Sequence, residues 1–166
     1  MSLPPHNRGY AILGHALEEG RCNLYDLEEE LFLSQTALRE EVLKLRRMLE
    51  DKMDLCILVL EGNQARVVDN EEKIRLSIFN IIKYEVQTHT DWGSGYLELL
   101  FRGQFDRGEY ESFVKAVKDY FGGHEILVSD ASLYMVVGAI YTTVMRKRQG
   151  HELFGVKADE FPVEVL

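Results

Sequence analysis

The apolar residues between Asn23 and Leu49 fall into two short repeating stripes. From Ser34 onward Leu38, Val42, Leu45 and Leu49 recur at spacings of four, three and four, which stacks them on one side of a 3.6-residue helix. Thr36, Glu40, Leu43 and Arg47 then face the other way, with Arg39 and Lys44 on the flanks. Ser34 is the expected cap, since its hydroxyl can accept from the free amides of the first turn; Ala37, in place of Glu or Gln, denies it a capping box. In the segment before it, capped by Asn23, Leu24, Leu27 and Leu31 turn inward while Asp26, Glu28, Glu29 and Glu30 turn outward. Two short helices joined by Phe32-Leu33-Ser34 are the outline of a helix-turn-helix.

The neighbouring segments extend the outline. Ile12, Leu13, Ala16 and Leu17 make a helical stripe between Tyr10 and Glu19, closed by Gly20. After Leu49 the runs Leu55–Leu60 and Ala65–Val68 flank Glu61-Gly62-Asn63-Gln64, a hairpin signal. Three helices and a hairpin in this order are a winged helix-turn-helix, placed at residues 1–68. Beyond Asp69-Asn70-Glu71-Glu72 the pattern is helical throughout. Ile74, Ile78, Ile81, Ile82 and Val86 line one long helix, Tyr96–Phe101 a short piece, and Phe113, Val114, Val117 and Phe121 another helix. A last helix starts at Ser129-Asp130 and ends on Arg146-Lys147-Arg148, cations suited to the negative pole of a helix C-terminus. The expected organisation is mainly α: a winged helix-turn-helix, an all-α bundle over 69–155, and a tail over 156–166.

With 166 residues, 46% of them hydrophobic, the chain can build an ordinary core. Its net charge of −9 makes contact with nucleic acid a local matter and argues against attraction to anionic membranes. No signal-peptide pattern opens the sequence, and the uncharged run Ala131–Met145 falls short of the ~20 residues a membrane span needs. Cys22 and Cys56 lack CxxC spacing and read as reduced thiols of a cytoplasmic protein. Enzyme signatures are missing: no phosphate-binding glycine loop with lysine, no HExxH, no Gly-x-Ser-x-Gly. His124-Glu125 and His151-Glu152 lack a third ligand nearby, and His15 has no partner at helical spacing, so no catalytic, cofactor or metal residue is assigned.

The run Asn23-Leu24-Tyr25-Asp26-Leu27 through Ser34-Gln35-Thr36-Ala37-Leu38-Arg39, then Leu45, resembles the helix-turn-helix of PRD-containing regulators of sugar operons. That family includes BglG-type antiterminators and LicR-, MtlR- and Mga-like activators; PRD denotes the phosphotransferase-system regulation domain. Glu71-Glu72-Lys73-Ile74-Arg75 resembles the opening of that domain, and Leu127-Val128-Ser129-Asp130, followed by the helix closing on Arg146-Lys147-Arg148-Gln149-Gly150, resembles its end. In the activators the resemblance implies promoter binding by the helix-turn-helix and phosphorylation of histidines by phosphotransferase-system proteins. The histidine of the pattern, seven residues before the arginine, is here Ala139, beside Gly138; neither accepts phosphate. The small RNA-binding β domain of the antiterminators has no counterpart in the pattern.

These observations lead to the expectation of a non-enzymatic, cytoplasmic transcription regulator, or a fragment of one, binding operator DNA. Gln35, Thr36 and Arg39 are expected toward bases and Lys44, Arg46, Arg47 and Arg66 toward phosphates. Glu40-Glu41 stands where relatives are commonly basic, and Glu40 can accept from a cytosine amino group. A homodimer through the helical half is expected, because one recognition helix with few cations binds weakly and a two-fold pair multiplies its contacts; Tyr84, Tyr134 and Tyr141 are candidate contacts. Phosphotransferase-system proteins are possible partners. The alternative is a protein-interaction module whose helix-turn-helix has lost DNA affinity.

Overall fold

The computed structural model describes residues 5–53, 57–68, 70–88 and 95–152. In chain order the elements are α1 (Pro5–Glu19), β1 (Arg21–Asn23), α2 (Leu27–Leu31), α3 (Gln35–Met53), β2 (Leu58–Glu61), β3 (Gln64–Val67), α4 (Glu71–Thr88), α5 (Gly95–Leu100), α6 (Arg107–Gly123) and α7 (Asp130–Arg148). The fold is mainly helical, with one small sheet of strand order β1-β3-β2. Leu55, Cys56, His89, Trp92 and the tail over 156–166 lie outside the described residues.

The helices α1, α2 and α3 and the hairpin β2–β3 form the expected winged helix-turn-helix, with one correction at its centre. Asn23 does not cap a helix. It ends β1, pairs with Gln64, and its Oδ1 accepts from the Tyr25 amide at 3.1 Å. The same short carbonyl side chain serves a helix cap or a local turn equally well, and here the turn wins because β1 pairs with β3 from Arg21 to Asn23. Helix α2 therefore starts four residues later, at Leu27. Ser34 does cap α3, its Oγ accepting from the Ala37 amide at 3.3 Å. The Glu28 carboxylate adds a second cap, taking the Gln35 amide at 2.9 Å, so α2 holds the start of α3.

One buried core runs from α1 to α7, across the change from strand to helix at residues 68–71. Leu38, Val42, Leu45 and Leu49 meet Ile12, Leu13 and Leu17 within it, as their periodicity predicts. The second half does not close on itself: α1 packs on α5. The approach is set by Gly14, where an added Cβ would come 2.0 Å from the Leu99 carbonyl oxygen. In the same way Gly138 brings α7 onto α4, with the Ile82 Cγ2 only 2.9 Å from where its Cβ would sit.

Polar contacts reinforce these approaches. Arg146, 1% exposed, forms a bidentate pair with Glu71 at 2.9 and 2.7 Å and donates to the Leu17 carbonyl at 2.8 Å. Arg75 donates to the same carboxylate at 2.8 Å and to the His151 carbonyl at 2.8 Å. The basic end of α7 thus does more than complement a helix pole: its first cation is buried and ties α1, α4 and α7 together. Nearby, the Tyr10 hydroxyl donates to Glu85 at 2.6 Å, again joining α1 to α4. His15 is half-buried between Glu30 and Arg102.

At the far end α6 rests on α7 through half-buried Phe113, Val114, Val117 and Phe121. Tyr141 stands at the centre of Phe101, Phe105, Tyr110 and Phe113, with ring centroids 5.3 to 6.5 Å away, and its hydroxyl accepts from the Asp106 amide at 3.1 Å. Being fully buried, it is not a surface residue that could meet a second copy, which corrects that expectation.

Two outcomes test this assembly. Replacing Gly14 with Ala should cost about 3 kcal/mol in a denaturant titration, because the clash is with backbone that no rotamer change relieves; a neutral substitution would show that α1 and α5 do not meet there. Burial acts to raise the Glu71 carboxyl, but the hydrogen bonds from Arg146 and Arg75 outweigh it and hold it below the ordinary carboxylate value. A depressed folded value means stability that is complete above the ordinary range and lost as pH falls through the folded value. Glu71→Gln should therefore lose about 3 kcal/mol at neutral pH, by leaving Arg146 buried without its counter-charge, and should show a shallower acid limb than the parent chain.

Candidate nucleic-acid interface

The surface presented by α3 follows from its buried stripe. With Leu38, Val42, Leu45 and Leu49 in the core, the side chains of Thr36, Glu40, Leu43 and Arg47 form the solvent stripe on the opposite side, all four exposed. Beside it projects the hairpin of β2 and β3, with Leu58 opposite Val67 and Glu61 opposite Gln64, closed by Gly62-Asn63. Gly62 has φ +59°, a left-handed conformation that glycine adopts without Cβ strain.

Arg39 joins the helix to the wing. Its Nη1 donates to the Gly62 carbonyl and to the Asn63 Oδ1, the latter at 3.2 Å. From the other side the Leu24 amide donates to the Asn63 carbonyl at 2.8 Å, so the turn is held by α3 and by the end of β1 together. Nothing in the sequence announces this link, since arginine and turn are more than twenty residues apart; Asn63 was legible only as a turn residue.

The remaining sequence-predicted residues are placed as follows. Gln35 is half-buried, and both polar atoms of its side-chain amide are shielded from water and, among the described residues, have no hydrogen-bond partner. Thr36 is exposed at the first turn. Lys44 pairs with Glu41 at 3.0 Å, Arg46 with Glu50 at 2.9 Å and Arg66 with Glu61 at 2.7 Å. Arg47 donates to the Leu43 carbonyl one turn back, at 3.3 Å. The structure thus gathers Thr36, Lys44 and Arg47 on the outer side of α3, sets Arg66 on the wing, turns Gln35 inward and commits Arg39 to the wing turn.

The resulting field is mixed. Among the described residues every cation of the set except Arg39 and Arg47 has a carboxylate within ion-pair distance, and Glu40, Glu50 and Glu61 share the face with them. The pairs of Arg46 and Arg66 are exposed on both sides, are worth well under ~1 kcal/mol and can be exchanged for a phosphate at little cost, whereas Lys44 is paired with the buried Glu41. Their presence lowers the sequence-independent attraction that such surfaces normally exert. Two aromatics are exposed at the two ends of α2: Tyr25 in the connection before it, and Phe32 at the α2–α3 turn, which is 71% exposed and held at φ +53°. Among the described residues no group of three or more metal-ligating side chains comes together, and no helix is long and apolar enough to cross a membrane.

A helix held open on its outer face, braced by a wing and by a short helix across its N-terminus, defines the class: a winged helix-turn-helix. Comparison with known families agrees. Residues 3–81, just under half of the chain, match the Mga helix-turn-helix domain, so this segment is similar to that domain. No curated protein and no solved structure matches the chain.

The clamp can be tested without any ligand. Arg39→Ala should leave overall stability within about 1 kcal/mol, the usual worth of exposed hydrogen bonds, while amide exchange at Gly62–Gln64 accelerates at least severalfold in a hydrogen-exchange measurement. Unchanged exchange there would mean that the β1 contact alone holds the turn.

Proposed function

We propose that the chain is a transcription regulator, or part of one, that reads operator DNA by laying α3 in the major groove with the hairpin against the adjoining backbone. The observation that carries this reading is the family match over the segment whose outer helix face is left uncovered. Thr36 and neighbouring residues of the stripe would meet base edges, and Lys44, Arg46, Arg47 and Arg66 would meet phosphates. We place such a protein in the cytoplasm.

Residues 69–155 are read as a PRD-like half that serves assembly. Its outward apolar side chains support a homodimer: Leu76 on α4 and Val136 and Ile140 on α7 are exposed around a shallow hollow lined by Phe79, Ala139 and Thr143. Ala139 and Gly138 stand where the resembled pattern has its histidine, and Gly138 is needed for the contact with Ile82. A link to phosphotransferase-system proteins would accordingly run through binding and not through a phosphate on this helix. The mixed charge of the face is the feature that favours the second reading, an interaction module with a helix-turn-helix scaffold.

Fluorescence anisotropy with the DNA upstream of the protein's own gene, at about 50 mM salt, separates the two. DNA binding predicts a complex whose affinity falls steeply with salt and, for Arg47→Ala, a salt slope smaller by about one unit with sequence preference kept. No complex with any fragment would end the DNA reading and leave the fold intact. Light scattering at micromolar concentration should show twice the 19.2 kDa chain mass, and a monomer would remove the dimer.

A further inference from the structure

We propose that Glu40 and Leu43 are the base-reading residues of α3, Glu40 taking the amino group of a cytosine and Leu43 the methyl of a thymine on the adjoining base pair. The inference rests on the DNA-reading function above and deepens it. Its starting point is subtraction. Gln35 and Arg39, the residues whose chemistry most suggests base contact, are withdrawn: the first has its amide buried and the second is spent on the wing turn. What remains at the middle of the solvent stripe is a carboxylate and an isobutyl group.

The two glutamates at this point of the helix are not equivalent. Glu41 is buried to 8% exposure and paired with Lys44. Glu40 is exposed and, among the described residues, has no hydrogen-bonding or ionic partner. A lone carboxylate facing a groove is repelled by phosphate unless a donor meets it. In the major groove the donors are the amino groups of cytosine and adenine. Adenine carries an acceptor, N7, directly beside its amino group, which repels the second carboxylate oxygen. Cytosine has only a C–H there, so the charge selects cytosine.

Leu43 follows three residues later, a rise of about 4.5 Å along the helix, against about 3.4 Å between base pairs. Its side chain therefore falls over a neighbouring pair. It is 42% exposed, and the apolar group that the major groove offers is the thymine C5-methyl. Thr36, one turn before Glu40, donates or accepts and tolerates either base. The carboxylate also depresses binding to every other sequence, so selectivity is gained by repulsion as well as by attraction. This matches a surface whose cations are largely matched by acids of its own.

The test is selection of duplexes from a randomised pool by the full chain and by Glu40→Gln, followed by affinity measurement on the recovered duplex. The parent chain should enrich cytosine beside thymine. Glu40→Gln should move the cytosine position to adenine, whose N6 and N7 glutamine contacts together, with a preference of about tenfold. Replacing the thymine by uracil, which removes only the methyl, should weaken the parent severalfold and leave Leu43→Ala unaffected. Both side chains are exposed, so the variants should keep the parent's circular dichroism. The same base enriched by parent and Glu40→Gln, with DNA still bound, overturns the inference and spares the function. A parent chain that retains no duplex at low salt overturns both.

Discussion

The guanidinium of Arg146 is the point on which the fold turns. A cation removed from water costs several kcal/mol unless its donors are met, and here all three nitrogens donate to residues from three places: both oxygens of Glu71 at the start of α4, the Leu17 carbonyl near the end of α1, and Gln149 just past α7. Because the requirement is satisfied only when α1, α4 and α7 are all in position, the interaction specifies their arrangement more than it adds to their stability. The packing agrees with it, since Gly14 and Gly138 remove the side chains that would keep α1 from α5 and α7 from α4. The helix-turn-helix and the helices after it are therefore built around shared contacts, and the position of α1 under the sheet is set partly by a residue 129 positions away in the chain.

What the sequence disclosed was local and periodic. The stripe Leu38-Val42-Leu45-Leu49, the Ser34 cap, the Gly62-Asn63 turn and the Ser129 cap of α7 each depend on residues within one or two turns of one another, and each is where the pattern puts it. What it hid was distant. A three-residue strand such as β1 has no period to detect, and Asn23 carries the same signal for a turn as for a helix cap. Arg146 looks like an ordinary cation at a helix end until Glu71 is seen beside it. At the candidate interface the exposed face of α3 was legible for the same periodic reason, whereas the fates of Gln35 and Arg39 were not, because they depend on a turn and a short helix whose placement is tertiary.

The charge pattern of the interface has a coherent physical sense. Lys44, Arg46 and Arg66 each lie beside a carboxylate at 3.0 Å or less. Counter-charges of this kind shorten the reach of the positive field at ordinary salt, where screening already limits it to about 8 Å. Such a face does not gather polyanions indiscriminately, consistent with a chain whose net charge is −9. Contact must be close before it becomes favourable, and close contact is where the identity of the side chains on α3 matters.

The bond from Arg39 to the wing turn bears on time as well as on place. A hairpin tip fixed in advance by Gly62 and Asn63, and by Leu24 on its other side, has little conformational freedom left to surrender when something docks against it. The entropic toll usually exacted from a loop at the moment of association is charged during folding instead. Encounter then need not wait for the loop to order, and its rate is limited by diffusion and orientation. Differences between good and poor matches would appear in how long the complex lasts, so that residence time, more than speed of arrival, becomes the quantity through which this surface discriminates.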